Sequence, residues 1–154
     1  MIALAALAVL VAVCDARSRR IPNKLVAAVV ACGVTLQAAR LFAPWVLDAL
    51  PLARALSRGL GTPLSCLAWG MGVASVGTVL ELSLRRFGGR PGMGLGDVKY
   101  VAAWACVLGV VAIPALAFAC LLGAAWAIAC GARDFALGPW LSLAFVGAMV
   151  IVAA

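Results

Sequence analysis

From Val98 to Cys130 the chain carries one charged residue, Lys99, at the start of the run. A bilayer-crossing helix needs about 20 residues, so this run is too long for one span. It is also too apolar to be the surface of a soluble domain. Pro114 is the natural break between two shorter helices, because a proline inside a helix removes a hydrogen bond and clashes with the preceding turn. The rest of the chain has the same character. Of its 154 residues, 67% are apolar and 11% charged, where a soluble domain has about a quarter of its residues charged. The composition predicts an all-α, polytopic membrane protein forming a single transmembrane domain over residues 1–154. It excludes a nucleic-acid binder built on a folded basic surface, a disulfide scaffold and a soluble enzyme.

Further apolar runs predict about six spans in all: Met1 to Cys14, Leu25 to about Pro44, Leu64 to Leu84, the two halves of the long run, and Leu137 to Ala154. Between the second and third lies a loop with Pro44, Asp48, Pro51, Arg54, Arg58 and Pro63. A secretory signal carries its positive charge before the apolar stretch. Here Arg17, Arg19 and Arg20 follow it, and Val13 is too bulky for a lipoprotein cleavage site before Cys14, so the first run is expected to stay as a span.

The formal net charge of +7 is distributed unevenly. Loops after the first, third and fifth spans hold Arg17, Arg19, Arg20, Lys24, Arg85, Arg86, Arg90, Lys99 and Arg133; the other side holds only Arg40, Arg54 and Arg58. By the positive-inside rule the richer side faces the cytoplasm and both termini face outward. Attraction to anionic lipid headgroups is a nonspecific consequence. Gly70, Gly72, Gly77 and the series Gly123, Ala127, Gly131 suit close helix contacts in lipid. The six cysteines, Cys14, Cys32, Cys66, Cys106, Cys120 and Cys130, form no Cys-x-x-Cys pair, and the chain has no histidine. They read as small buried hydrophobes, with no metal and no cofactor expected.

Acids at membrane depth are costly, so the five carry information. Asp48 and Asp134 read as solvated loop charges, and Glu81, four residues before Arg85, predicts a helix ion pair. Asp15 ends the first span and Asp97 opens the fourth, which places both carboxylates at one depth on the cytoplasmic side. Each is also explained as a helix-end residue, Asp97 as an N-terminal cap. A close pair of carboxylates has a further use: like charges cannot both ionise easily, so the pair holds one proton. The ionised member draws a proton from water as it attacks a peptide carbonyl, and the protonated member polarises that carbonyl and then protonates the amine. That chemistry is available to a chain without histidine.

The motifs around the acids narrow the choice. Pro91-Gly92-Met93-Gly94-Leu95-Gly96-Asp97-Val98-Lys99 contains Gly-x-Gly-Asp, whose glycines let backbone approach a carboxylate or an extended strand. Together with Asp15 and the following Ile21-Pro22-Asn23-Lys24-Leu25, it resembles the type IV prepilin peptidases, membrane aspartic proteases of the Gly-x-Gly-Asp class. Phe135-Ala136-Leu137-Gly138-Pro139 looks like the Phe-Gly-Pro segment that opens the last span in that family, with Ala136 and Leu137 as departures.

The resemblance implies catalytic aspartates at Asp15 and Asp97 and structural roles for Gly138 and Pro139. Pro22 and Asn23 match its motif and read as helix-start residues, Asn23 as an N-cap. Lys99 either acts on the charge of Asp97 or snorkels to the interface. The chain begins directly with its first span and has no N-terminal paired cysteines, so it looks like the short form that serves tight-adherence (Flp-type) pili, without methyltransferase activity. The implied substrate is a prepilin or pseudopilin whose short basic leader lies in the cytoplasm and is cut just before its apolar helix. The implied location is the inner membrane.

Two other readings compete with this one. Presenilin and signal-peptide-peptidase types share Gly-x-Gly-Asp, and Pro114-Ala115-Leu116 copies their tripeptide, but too early in the chain and without a tyrosine before Asp15. A proton-coupled transporter or noncatalytic assembly factor would use the two acids as a relay. Acids at one membrane face and halves without a repeat argue against a transporter.

Overall fold

The structure is a computed structural model, and it describes residues 1–49, 51–88, 94–131 and 136–154. Arg90, Pro91, Gly92, Met93, Arg133, Asp134 and Phe135 lie outside the described residues. Among the described residues every regular element is a helix, with no strand. The helices are α1 Ile2–Ser18, α2 Asn23–Phe42, α3 Pro44–Asp48, α4 Pro51–Gly59, α5 Pro63–Gly88, α6 Leu95–Leu108, α7 Ala112–Cys130 and α8 Gly138–Ala153. Asn23–Phe42, Pro63–Phe87 and Leu95–Cys130 are long and apolar enough to cross a membrane, and α8 is a shorter apolar helix.

Two boundaries differ from the sequence expectation. The long apolar run breaks at a single 3-10 turn, Gly109–Val111, and not at Pro114. Gly109 has φ 61°, which a residue with a side chain rarely adopts, so it supplies the reversal. Pro114 sits in the first turn of α7, where its missing N–H leaves no bond unmade. The segment expected as a loop between the second and third spans folds into α3 and α4. On α4 Leu56 is buried while Arg58 is exposed, and Gly59 lies so close to Val152 of α8 that no Cβ would fit. That pattern, one apolar face and one cationic, suits a helix lying along a membrane interface.

Packing centres on α6, buried at almost every position from Tyr100 to Leu108 and packed against α5 and α2; α8 joins α1, α7 and α4. Small residues set the α5–α6 approach: a Cβ on Gly70 would collide with Cys106, and one on Gly77 would lie 2.6 Å from Val98 Cγ1. Gly72 has open space beside it and Gly131, at φ 63°, ends α7, so neither is the packing residue expected. Of the cysteines only Cys66 is fully buried, and Cys120 and Cys130 are exposed on α7. In a membrane helix both core and lipid accept such a side chain.

The end of α6 is closed by a polar network. Fully buried Gln37 donates through Nε2 to the carbonyls of Cys106 (3.0 Å) and Val107 (3.1 Å), and its Oε1 accepts from Arg40 at 2.7 Å. Arg40 also donates to the Gly61 carbonyl at 2.7 Å, tying α2 to the start of α5. Carbonyls in the last turn of a helix lack intrahelical partners, and Gln37 supplies them. Gln37→Leu is therefore expected to lower stability by about 1–3 kcal/mol, read as a lower midpoint of unfolding in detergent, because it leaves buried acceptors unpaired. An unchanged midpoint would show that the network contributes nothing.

Candidate active site

Asp15 completes the buried stripe Leu4, Ala8, Val11, Asp15 on α1. Steps of four, three and four residues keep these side chains on one helix face, and α1 packs on α8. A carboxylate in the last turn of a helix meets the unfavourable end of the helix dipole. The start of α8 compensates: Gly138, its first residue, donates its backbone N–H to Asp15 Oδ2 at 2.9 Å. Asp15 is only 5% exposed. A Cβ on residue 138 would lie 2.7 Å from Oδ2, 2.8 Å from Cβ and 2.9 Å from Cγ of Asp15, so this approach requires glycine. Pro139 follows in the first turn, where proline is accommodated.

Asp97 is the third residue of α6, whose N-cap is Gly94. It is thus not the cap itself; its carboxylate reaches back to the backbone N–H of Gly94, as acids at the third helical position do. The tight approach at Gly94, where a Cβ would stand 3.2 Å from Asp97 Oδ2, fits the close backbone contact that the Gly-x-Gly-Asp string predicts. Gly96 faces Ile21 of the α1–α2 connection at ordinary contact distance. Asn23 likewise is the first residue of α2 and not its cap: Pro22, extended at φ −64° and ψ 128°, holds that position, and its carbonyl accepts from Leu25 and Val26.

One seam sets the register between the two acids' supports. Tyr100, three residues after Asp97, shares a 2.9 Å hydrogen bond with Ser142, four residues after Gly138. The Tyr100 ring packs edge-on against Phe145 at 6.1 Å, and Trp104 stacks on Phe145 at 5.4 Å. Burying two aromatic pairs fixes how α6 lies on α8 and so where Asp97 stands relative to Gly138.

Asp15 and Asp97 line one cavity of about 270 Å³ with Gly94, Gly96, Ile21 and Asn23. Arg19, Arg20 and Lys99 complete its wall. At about 30 Å³ per water, it has room for several waters or a short piece of extended peptide. The charge of Asp15 reaches Asp97, and so does that of Glu81. Glu81 forms the expected ion pair, Arg85 Nε to Oε1 at 2.7 Å, but its side chain is 2% exposed and sits one turn beyond Gly77, the residue packed on Val98. The burial of this third acid on the α5 face that packs on α6 was missed in the sequence; its signal was the four-residue step from Gly77 to Glu81 on α5. Pro114-Ala115-Leu116 lies in the first turns of α7, beyond the end of α6 that is about 16 Å along the helix from Asp97.

Two carboxylates beside one small, partly enclosed space can share a proton and activate a water between them. The model of the type IV leader peptidase family matches residues 2–128, which include both acids but not Gly138. No curated protein and no solved structure matches the chain. A match over most of the chain, embracing every helix from α1 into α7, shows that this protein belongs to the type IV leader peptidase family.

Proposed function

We propose that the protein is a membrane aspartic endopeptidase that removes the short basic leader from type IV prepilins or pseudopilins of the Flp type, with Asp15 and Asp97 as its catalytic pair. The observation that carries this reading is the convergence of two acids, 82 positions apart in sequence (97 − 15), on one cavity. The ionised member takes a proton from water as the oxygen attacks the scissile carbonyl. The protonated member hydrogen-bonds to the carbonyl oxygen as the tetrahedral intermediate forms and passes its proton to the amine nitrogen as the C–N bond breaks, so the proton taken from water is left on the pair, which again holds one.

The ends of the bundle support the orientation. Asp15, Asp97, Arg19, Arg20 and Lys99 share the cavity, so the acids sit among cations. By the positive-inside rule the end that holds them faces the cytoplasm, where the leader lies. A site at one end also suits a protease that cuts at the membrane surface better than a midplane proton relay.

Co-expression with an Flp-type prepilin tests the reading. The prepilin is expected to shorten on a gel with the wild-type protein and to stay full length with Asp15→Asn or Asp97→Asn. Failure of the wild type to shorten it, or shortening by both variants, would overturn the assignment.

A further inference from the structure

A second cavity, about 440 Å³, opens beside the first, and the two share Asn23 and Lys99. Their characters differ. The acid cavity is walled by charged side chains, whereas beyond Lys99 the second has no charge: Val26 and Val30 of α2 form one wall, Met71 and Ala74 of α5 the other, and Ala102 of α6 the floor. Along α2 from Asn23 to Val30, and along α6 from Lys99 to Cys106, it advances seven residues, about 10 Å or two helical turns. Met71 is 71% exposed on its wall, and methionine adapts its shape to an apolar partner.

We propose that this groove is the dock for the first two turns of the substrate's apolar helix, and that Asn23 and Lys99 mark the junction where the chain passes from the acid cavity into it. The inference rests on the leader-peptidase reading and extends it. A substrate cut just before an apolar helix is polar on one side of the scissile bond and apolar on the other. The two cavities change character in the same order along one path. The small side chains of Ala74 and Ala102 leave the groove open for a helix to lie in it, and the occupant's backbone is satisfied within its own turns, as lipid exposure requires. Docking there presents the bond before the helix to Asp15 and Asp97, with the leader on the acid-cavity side of the junction.

The test uses the full chain in membranes with an Flp-type prepilin. A photo-crosslinking amino acid replaces Met71, or Ile128 on the outward face of α7 as a control, in an Asp97→Asn background that holds substrate without turnover. A prepilin adduct from position 71 and none from 128 is expected. Ala74→Phe, which fills the groove, is expected to raise the KM for prepilin at least tenfold with kcat nearly unchanged, whereas Ala124→Phe on α7 leaves both at wild-type values. Met71→Trp fills the groove from an exposed position and gives the same KM shift if Ala74→Phe fails to fold. Adducts of equal yield from both positions, adducts with lipid alone from position 71, or folded groove variants with wild-type KM would overturn the dock. These outcomes leave wild-type cleavage intact, so they are distinct from failure of the peptidase reading, in which the wild type itself does not cut.

Discussion

Asp15→Asn and Asp97→Asn are each expected to slow prepilin cleavage by about 10^4-fold, the scale on which proton-transfer groups that act as a unit fail when one is lost. Asparagine keeps the size and shape of the side chain. Its amide oxygen can still accept from Gly138 N–H at position 15, or from Gly94 N–H at position 97, so the helix ends remain held. What it lacks is the ability to take or give a proton. The expected signature is therefore loss of turnover with unfolding in detergent at the wild-type midpoint, and with prepilin still bound. The double variant should be little worse than either single one, because each already removes the shared proton. Rates are read from the time course of prepilin shortening by immunoblot. A single variant that keeps a tenth of the wild-type rate would sink the pair as the catalytic machinery.

The sequence revealed the helices more readily than their faces. Apolar runs broken by Pro22, Pro63 and Gly138-Pro139 mark helix starts that the structure shows at α2, α5 and α8. Facing was hidden because core and lipid are both apolar: α7 buries Ala112, Ala115, Ala119 and Gly123 yet exposes Leu121 and Ile128, and no polar face marks the difference. Only a polar residue reveals an inward face in such a chain. Asp15 does so for α1, since it continues the Leu4, Ala8, Val11 stripe, and Gln37 does so for α2. The break at Gly109 was obscured by Pro114, whose effect disappears in a first turn, whereas the positive φ that makes the reversal leaves no mark beyond a glycine among many. In the site, motif and position brought out the two acids and marked Gly138 as structural, but not that Gly138 is the donor that holds Asp15. Gly138 lies 123 residues from Asp15, and that pairing depends on the packing of α1 on α8, which no local pattern announces.

That donor carries the second large effect. Gly138→Ala is expected to reduce kcat by about 100-fold or more, the usual consequence of displacing a reacting group by about 1 Å. The new Cβ meets the carboxylate and the Cβ of Asp15 at 2.7–2.9 Å, and these atoms sit too near the α1 backbone for a rotamer change alone to clear them. Either α8 withdraws, lengthening the Gly138 N–H to Oδ2 bond, or Asp15 turns away from the cavity. Both outcomes also loosen the α1–α8 contact, so a stability loss of about 1–3 kcal/mol should accompany the kinetic one. Gly72→Ala is the matched control, because a Cβ there meets nothing within 4 Å; it should cut at the wild-type rate. The role of Gly138 through Asp15 is separable from a general packing defect by combining the changes. If Gly138 acts by placing that carboxylate, Gly138→Ala added to Asp15→Asn should lower the residual rate little further, since the group it positions is already inert. A full additional 100-fold loss in the double variant would mean that residue 138 serves the reaction by some route other than Asp15.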